Sequence, residues 1–72
     1  MEARELGNRL REERTRQGRT QAELAAAVRV SRKTINTVEN RVFVPSAVLA
    51  LRLARALGTT VEHLFYLTDE QR

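Results

Sequence analysis

Apolar residues recur at helical spacing in two short polar-flanked segments near the middle of the chain. Within residues 20–40, apolar positions three or four residues apart predict two helices that each bury one face. These apolar positions are Leu24, Ala25, Val28, Val30, Ile35 and Val38. Ala25 carries only a methyl group, so it allows two helix backbones to approach closely where they cross. We therefore expect the two helices to pack together at a steep angle.

Hydrogen-bonding residues mark where both helices begin. Thr20 is followed three residues later by Glu23, which is the capping-box arrangement, so a helix should start at Gln21. Ser31 caps the second helix in the same way, and polar residues follow on the side opposite its apolar row. Those polar residues are Arg32, Lys33, Thr34, Asn36 and Thr37. Residues 20–40 thus predict a helix-turn-helix, a motif that can lay its second helix in a DNA groove.

The segment before this motif predicts a first helix. Leu6 and Leu10 lie one turn apart in a charged stretch from about Ala3 to Gln17. Gly18 ends this stretch as a helix C-terminal residue commonly does.

Two further helices are predicted after a linker over residues 41–46. Ser46 caps a fourth helix, which Gly58 closes. Its apolar side is formed by Leu49, Leu53, Ala54 and Leu57, widened by Leu51. Thr59 or Thr60 caps a short fifth helix, and a polar tail covers residues 68–72. Five short helices leave no room for strands, so we expect a compact all-α fold with residues 1–72 forming a single domain.

The charge distribution adds a possible partner. The 72 residues carry 13 basic and nine acidic side chains, a formal charge of +4, and all of the basic residues except Lys33 are arginine. Arginine can grip a phosphate or a guanine edge with two parallel hydrogen bonds, which suits nucleic acid. The arginine bias fits a GC-rich genome equally well, because GC-rich codons favour arginine and alanine.

Several classes of function find no support in the sequence. The chain has no cysteine, no apolar run as long as a membrane span and no apolar N-terminal signal, so we expect a cytoplasmic protein. His63 is the only histidine and lacks companion ligands, which argues against a metal site. No nucleophile arrangement, carboxylate pair or glycine-rich phosphate loop indicates an enzyme. We therefore expect no cofactor and no small-molecule ligand.

The chain resembles the Cro/cI-type helix-turn-helix proteins, also called the xenobiotic-response-element or lambda-repressor-like family. The similarity covers nearly the whole chain, including the segments TQAELA, VSRKTINTVEN and LARALGTTVEHLF. It is greatest for the small single-domain members, which are typically transcriptional regulators that bind DNA as homodimers. The resemblance thus implies a double-stranded DNA partner with an inverted-repeat operator.

Site roles follow from this resemblance, position by position. It implies that Gln21 contacts a phosphate and steadies the third helix. Base edges would be faced by Arg32, Lys33 and Thr37, and the sugar-phosphate backbone by Ser31, Thr34 and Asn40. Asn36 and Thr37 could each contact a base edge or simply face water, and the residues alone leave that choice open. The resemblance further implies a partly buried ion pair between Arg14 and Glu39 that ties the first helix to the third.

Three arginines depart from the family pattern. Arg29 occupies the turn position usually held by glycine, where the backbone tends toward the left-handed region, at a cost on the order of 1 kcal/mol. Arg41 replaces a second glycine, and Arg19 replaces the apolar residue before the TQ pair. Each arginine adds a cation near the expected path of the phosphates, so all three are predicted to contribute to DNA attachment.

An apolar cluster around the linker has two interpretations. Val42, Phe43, Val44 and Val48 could form part of the core, or they could form a dimer surface. Phe65 and Tyr66, between Leu64 and Leu67, form a second candidate dimer surface. The sequence leaves these alternatives open.

The expected function is that of a homodimeric regulator, acting more readily as a repressor than as an activator, with its third helix in the major groove. One alternative is an antitoxin or restriction-system controller that regulates its own operon. Another is a protein-interaction module that has kept the fold and lost DNA binding.

Overall fold

A computed structural model describes residues 5–68 of the chain. Within that range the helical elements appear in the predicted order, and a short strand stands at each end. The elements are β1 (Leu6–Asn8), α1 (Leu10–Arg16), α2 (Gln21–Val28), α3 (Arg32–Glu39), α4 (Ala47–Ala56), α5 (Val61–Leu64) and β2 (Phe65–Leu67). The predicted all-α class is confirmed apart from the small sheet. Among the described residues, no helix is long and apolar enough to cross a bilayer.

The predicted helix caps are confirmed. Thr20 and Glu23 form both hydrogen bonds of a capping box at the start of α2. The Ser31 hydroxyl accepts a hydrogen bond from the backbone N–H of Thr34, and Ser46 caps α4 in the same way. Thr60, rather than Thr59, caps α5. The sequence therefore located the start of each of these helices.

The prediction that the fold has no strands is wrong. Strands β1 and β2 pair antiparallel, with Gly7 opposite Tyr66. A Cβ atom on Gly7 would lie 2.2 Å from Tyr66 Cε1, so the missing side chain makes room for the aromatic ring. The predicted first helix is also too long, because Leu6 lies in β1 and α1 begins only at Leu10. Residues before Glu5, and the predicted polar tail after Thr68, lie outside the described residues.

The core lies where α2, α3, α4 and α5 meet around the start of α1. Its fully buried larger side chains are Leu10, Leu24, Val28, Ile35, Val38, Leu53 and Leu64. Ala25 is buried as predicted, consistent with a close approach of α2 and α3. The Nδ2 group of Asn8 donates to the carbonyl oxygen of Val38 at 2.9 Å and so ties β1 to the end of α3. These contacts hold α3 at the surface with its apolar side inward.

Candidate nucleic-acid interface

Helix α3 presents a continuous polar face to solvent. Ser31, Arg32, Lys33, Asn36 and Asn40 are exposed, whereas Ile35 and Val38 on the opposite side are buried. Thr34 and Thr37 are half-buried, and the Thr37 hydroxyl donates to the carbonyl oxygen of Thr34 at 2.9 Å. The face is therefore rich in both hydrogen-bond donors and hydrogen-bond acceptors.

A buried carboxylate lies beneath this face. Glu39 Oε2 accepts a hydrogen bond from Arg14 Nε at 2.7 Å, and the side chain of Glu39 is fully buried. Arg14 also donates to the backbone carbonyl of Arg19 at 2.8 Å, in the turn before α2. This one guanidinium therefore links α1, the following turn and α3.

The charge of Glu39 is maintained by its hydrogen-bond donors. Burial alone raises the pKa of this carboxyl, because the charged form loses its hydration. Hydrogen bonds from Arg14, Gln21 and Arg11 outweigh burial and hold the pKa below its ordinary value. Glu39 is thus ionised at neutral pH and can accept hydrogen bonds but not donate them.

Gln21 connects the start of α2 to α3. Its Nε2 group donates to Glu39 Oε1 at 3.0 Å and to Asn36 Oδ1 at 3.3 Å. Its Oε1 atom lies 3.5 Å from an Arg32 guanidinium nitrogen, at the limit of a hydrogen bond. The side chain therefore spans the surface between the two helices.

Arg11 is a member of this network that sequence reasoning did not single out. Its guanidinium donates to Glu39 Oε1 at 3.3 Å and to Asn40 Oδ1 at 3.0 Å. Asn40 in turn donates through Nδ2 to the backbone oxygen of Asn36 at 2.9 Å and to Asn36 Oδ1 at 3.1 Å. The available signal was spacing, because residues three apart on a helix share a face and Arg11 precedes Arg14 by three.

The three arginines that depart from the family pattern lie in two different surroundings. Arg29 has φ 63° and Arg41 has φ 62°, so the left-handed conformation predicted at the turn is confirmed. Arg19 and Arg29 line one surface recess together with Arg52 and Arg55 of α4. Arg41 is exposed immediately after the end of α3. Two of the three arginines thus belong to a basic cluster between α2 and α4.

Much of the apolar cluster around the linker is exposed. The exposed fractions are 69% for Val42, 47% for Phe43, 36% for Val44 and 57% for Val48. Leu51, which was expected to widen the core side of α4, is 62% exposed and lines a groove with Val48. The core interpretation of this linker cluster is therefore wrong.

The second candidate dimer surface is largely occupied within the protomer. Phe65 is only 8% exposed and belongs to the core. Tyr66 is half-buried against Gly7, and the Arg9 guanidinium lies 4.7 Å from its ring centre. The dimer role predicted for Phe65 is not supported, because its side chain is already buried without a partner.

A comparison with known families adds to this geometry. The profile described as "Helix-turn-helix domain" matches residues 5–65. This chain belongs to that helix-turn-helix family. Family membership covers the helix pair together with α1, α4 and α5.

The relatives are named as regulators. An HTH-type transcriptional regulator of Archaeoglobus fulgidus, itself uncharacterized, is 43% identical over 66 residues, which are 92% of this chain and 94% of that protein. The crystal structure of the restriction-modification controller protein C.AhdI from Aeromonas hydrophila has a TM-score of 0.73 at 36% identity, covering 76% of this chain and 83% of that one. The clp gene regulator ClgR from Corynebacterium glutamicum has a TM-score of 0.70 at 36% identity, covering 72% of this chain and 55% of that one.

Proposed function

We propose that this chain binds double-stranded DNA sequence-specifically as a homodimer and represses transcription in the cytoplasm, where the nucleoid lies. The observation that carries this proposal is the face of α3, which is exposed, polar and held from beneath by the Glu39 network. A rigid helix with such a face fits the major groove. The names of the helix-turn-helix relatives support the regulatory part.

Roles divide along the interface. Arg32, Lys33 and Thr37 face base edges, because they lie on the outward side of α3 near or within its first turns. Gln21, Ser31, Thr34 and Asn40 stand close to the sugar-phosphate backbone. The basic side chains of Arg19, Arg29 and Arg41 supply long-range attraction to phosphates, which requires no fixed contact.

Selection from random duplexes at physiological salt tests this function. We expect recovery of an inverted repeat whose half-sites lie about 34 Å apart, one for each protomer. The double variant Arg32→Ala, Lys33→Ala should lose specific binding, at about 1–3 kcal/mol for each lost base contact. Arg52→Ala, Arg55→Ala removes the same charge from α4 and should retain the preferred sequence. A protein-interaction module would recover no motif, and both double variants would behave alike.

Repression follows from occupancy. A bound dimer that covers a promoter excludes polymerase, and no second domain is needed for that effect. A reporter gene behind the recovered operator should lose expression when the protein is supplied. Increased expression would identify an activator instead.

A controller that regulates its own operon is the second candidate. The similarity to the restriction-modification controller protein C.AhdI favours it. The recovered motif distinguishes the two roles, because an autoregulator should find its best match immediately upstream of its own coding sequence.

A further inference from the structure

The side-chain amide of Asn36 is held from both sides by neighbouring amides. Its Oδ1 atom accepts hydrogen bonds from Gln21 Nε2 at 3.3 Å and from Asn40 Nδ2 at 3.1 Å. Within the described part of the chain, no acceptor contacts its Nδ2 group. The oxygen of Asn36 therefore points into the network, and its two N–H groups remain available at the exposed surface of α3.

The amides of Asn40, Asn36 and Gln21 form a series of hydrogen bonds with Arg11 at one end and Glu39 at the other. These two charged residues determine which way the amides face. A guanidinium has donors only, so Asn40 must turn its oxygen toward Arg11 and its NH2 group toward Asn36. The backbone oxygen of Asn36 accepts from the same NH2 group, which requires a donor there as well.

The Glu39 end of this series of hydrogen bonds requires the same orientation of the Asn36 amide. The carboxylate of Glu39 has acceptors only, so Gln21 must turn its NH2 group toward Glu39 and hence toward Asn36. Both neighbours thus offer N–H groups to Asn36, and only its oxygen can accept them. Rotating the Asn36 amide by half a turn would oppose donors to donors on both sides.

We propose that Asn36 contacts DNA only as a hydrogen-bond donor and does not read adenine through a pair of hydrogen bonds. This inference rests on the proposed DNA-binding function. A paired contact to adenine needs the amide oxygen to accept from the adenine N6 amino group while the amide nitrogen donates to N7. In this chain that oxygen already has two donors. The outward NH2 group instead suits an acceptor, which is the N7 atom of either purine, guanine O6, thymine O4 or a phosphate oxygen.

Arg11 is then a positioning residue for this contact. It lies on α1 and reaches Asn36 through Asn40 on one side and through Glu39 and Gln21 on the other. Without its guanidinium, the Asn40 amide keeps only its bonds to Asn36 and loses the charged partner that fixes its oxygen, so the orientation of Asn36 is held less firmly. Arg11→Ala should therefore change sequence preference as well as affinity, whereas loss of charge alone changes affinity more uniformly.

Side-chain amide NMR of the free protein tests the fixed orientation. We expect the Asn36 NH2 group to show restricted motion on the nanosecond timescale, comparable to the backbone of α3. Asn40→Ala should increase that motion and leaves the Arg14–Glu39 ion pair in place. Arg16→Ala, which removes an exposed arginine of α1, the helix that carries Arg11, should have no effect. An Asn36 amide that is already mobile in the unaltered protein would overturn the proposal.

Binding measurements test whether Asn36 donates a hydrogen bond to DNA, and they distinguish a base acceptor from a phosphate acceptor. Asn36→Ala should weaken binding to the selected duplex by about tenfold. If the acceptor is a base, the preference lost in this variant is for guanine, for thymine or for either purine over a pyrimidine. If it is a phosphate, the sequence preference is retained and one methylphosphonate substitution reproduces the loss.

Two results would reject the inference while leaving the proposed function intact. One is a preference for adenine over guanine that disappears in Asn36→Ala, and the other is wild-type affinity and preference in that variant. Failure of the unaltered protein to bind any duplex would reject the proposed function itself.

Discussion

At the scale of single residues, the most consequential side chain is the buried carboxylate of Glu39. It accepts hydrogen bonds from α1 through Arg11 and Arg14 and from α2 through Gln21, while belonging to α3 itself. A buried charge is costly without partners, and these donors together offset that cost. The same atoms therefore stabilise the fold and orient the surface of α3.

Glu39→Gln should destabilise the protein by roughly 3 kcal/mol at pH 7, because it leaves the largely buried Arg14 guanidinium without its counter-charge. The folded-state pKa of Glu39 lies below its ordinary value of 4.5, so its stabilising effect is present above that pH and is lost as pH falls through the folded pKa. Urea unfolding should thus show a difference between variant and wild type that is large at pH 7 and shrinks toward pH 3.

The exposed carboxylate of Glu12 provides the matched control, since Glu12→Gln should change stability little at either pH. Glu13 also has a lowered pKa, caused by hydrogen bonds from Arg16 and His63. Its contribution is common to wild type and variant and cancels in their difference. A difference that stays constant with pH would contradict the assigned role of Glu39.

Arg29 offers a second residue-scale test. Its backbone is left-handed at φ 63°, which costs a residue with a Cβ atom about 1 kcal/mol. Arg29→Gly should therefore raise the free energy of unfolding by about that amount, whereas Arg29→Ala retains the strain and should not. Chemical denaturation distinguishes them. Equal stability of the two variants would show that the gain comes from removing charge in the arginine-lined recess.

At the scale of elements, the helices were predictable because their signals are local. Capping residues such as Thr20 and Ser31 act within one turn, and apolar spacing reports the buried face directly. The strands were not predictable in this way, because β1 and β2 have only three residues each. Three residues are too few to show an alternating pattern, and the strands form only because the two ends of the described chain meet.

In the candidate site, too, local features could be predicted from the sequence and long-range contacts could not. The sequence pointed to the polar face of α3 and to the Arg14 and Glu39 pair. It did not reveal that Arg11 contacts Asn40, because the two residues are 29 positions apart and meet only after α1 packs beside α3. Amide orientations depend on such contacts, so no local pattern could have predicted them.

Two serine caps separate the stability of a helix from its role in binding. Ser31→Ala and Ser46→Ala each remove one side-chain acceptor from a helix start, so each should destabilise the protein by about 1 kcal/mol. Only Ser31→Ala should also weaken DNA binding, because α3 and not α4 carries the proposed contacts. Thermal unfolding and duplex titration measure the two effects. Equal loss of affinity in both variants would mean that Ser31 acts through stability alone.

At the scale of the whole molecule, polar and apolar surfaces lie on different elements. The polar face belongs to α3, whereas the exposed apolar residues lie in the linker and on α4. A small domain gains nothing from keeping side chains as large as Phe43 and Leu51 in water. Burial of those side chains by a second copy would leave both α3 helices free for adjacent half-sites, which is the arrangement that an inverted repeat requires.

Val48→Glu tests this arrangement without disturbing the protomer, because the side chain is 57% exposed. In a dimer that buries Val48, the introduced carboxylate would be desolvated, and in a two-fold interface it would be introduced twice. Sedimentation equilibrium should therefore show a shift from dimer to monomer, with an unchanged circular dichroism spectrum. Thr15→Glu adds the same charge at an exposed position of α1 and should leave the dimer intact.

The affinity of Val48→Glu for a full operator should fall toward that for a single half-site, since the second contact no longer benefits from being tethered to the first. A dimer that persists in Val48→Glu would exclude Val48 from the interface and leave Leu51 and the linker residues Val42 and Phe43 as the surface to examine.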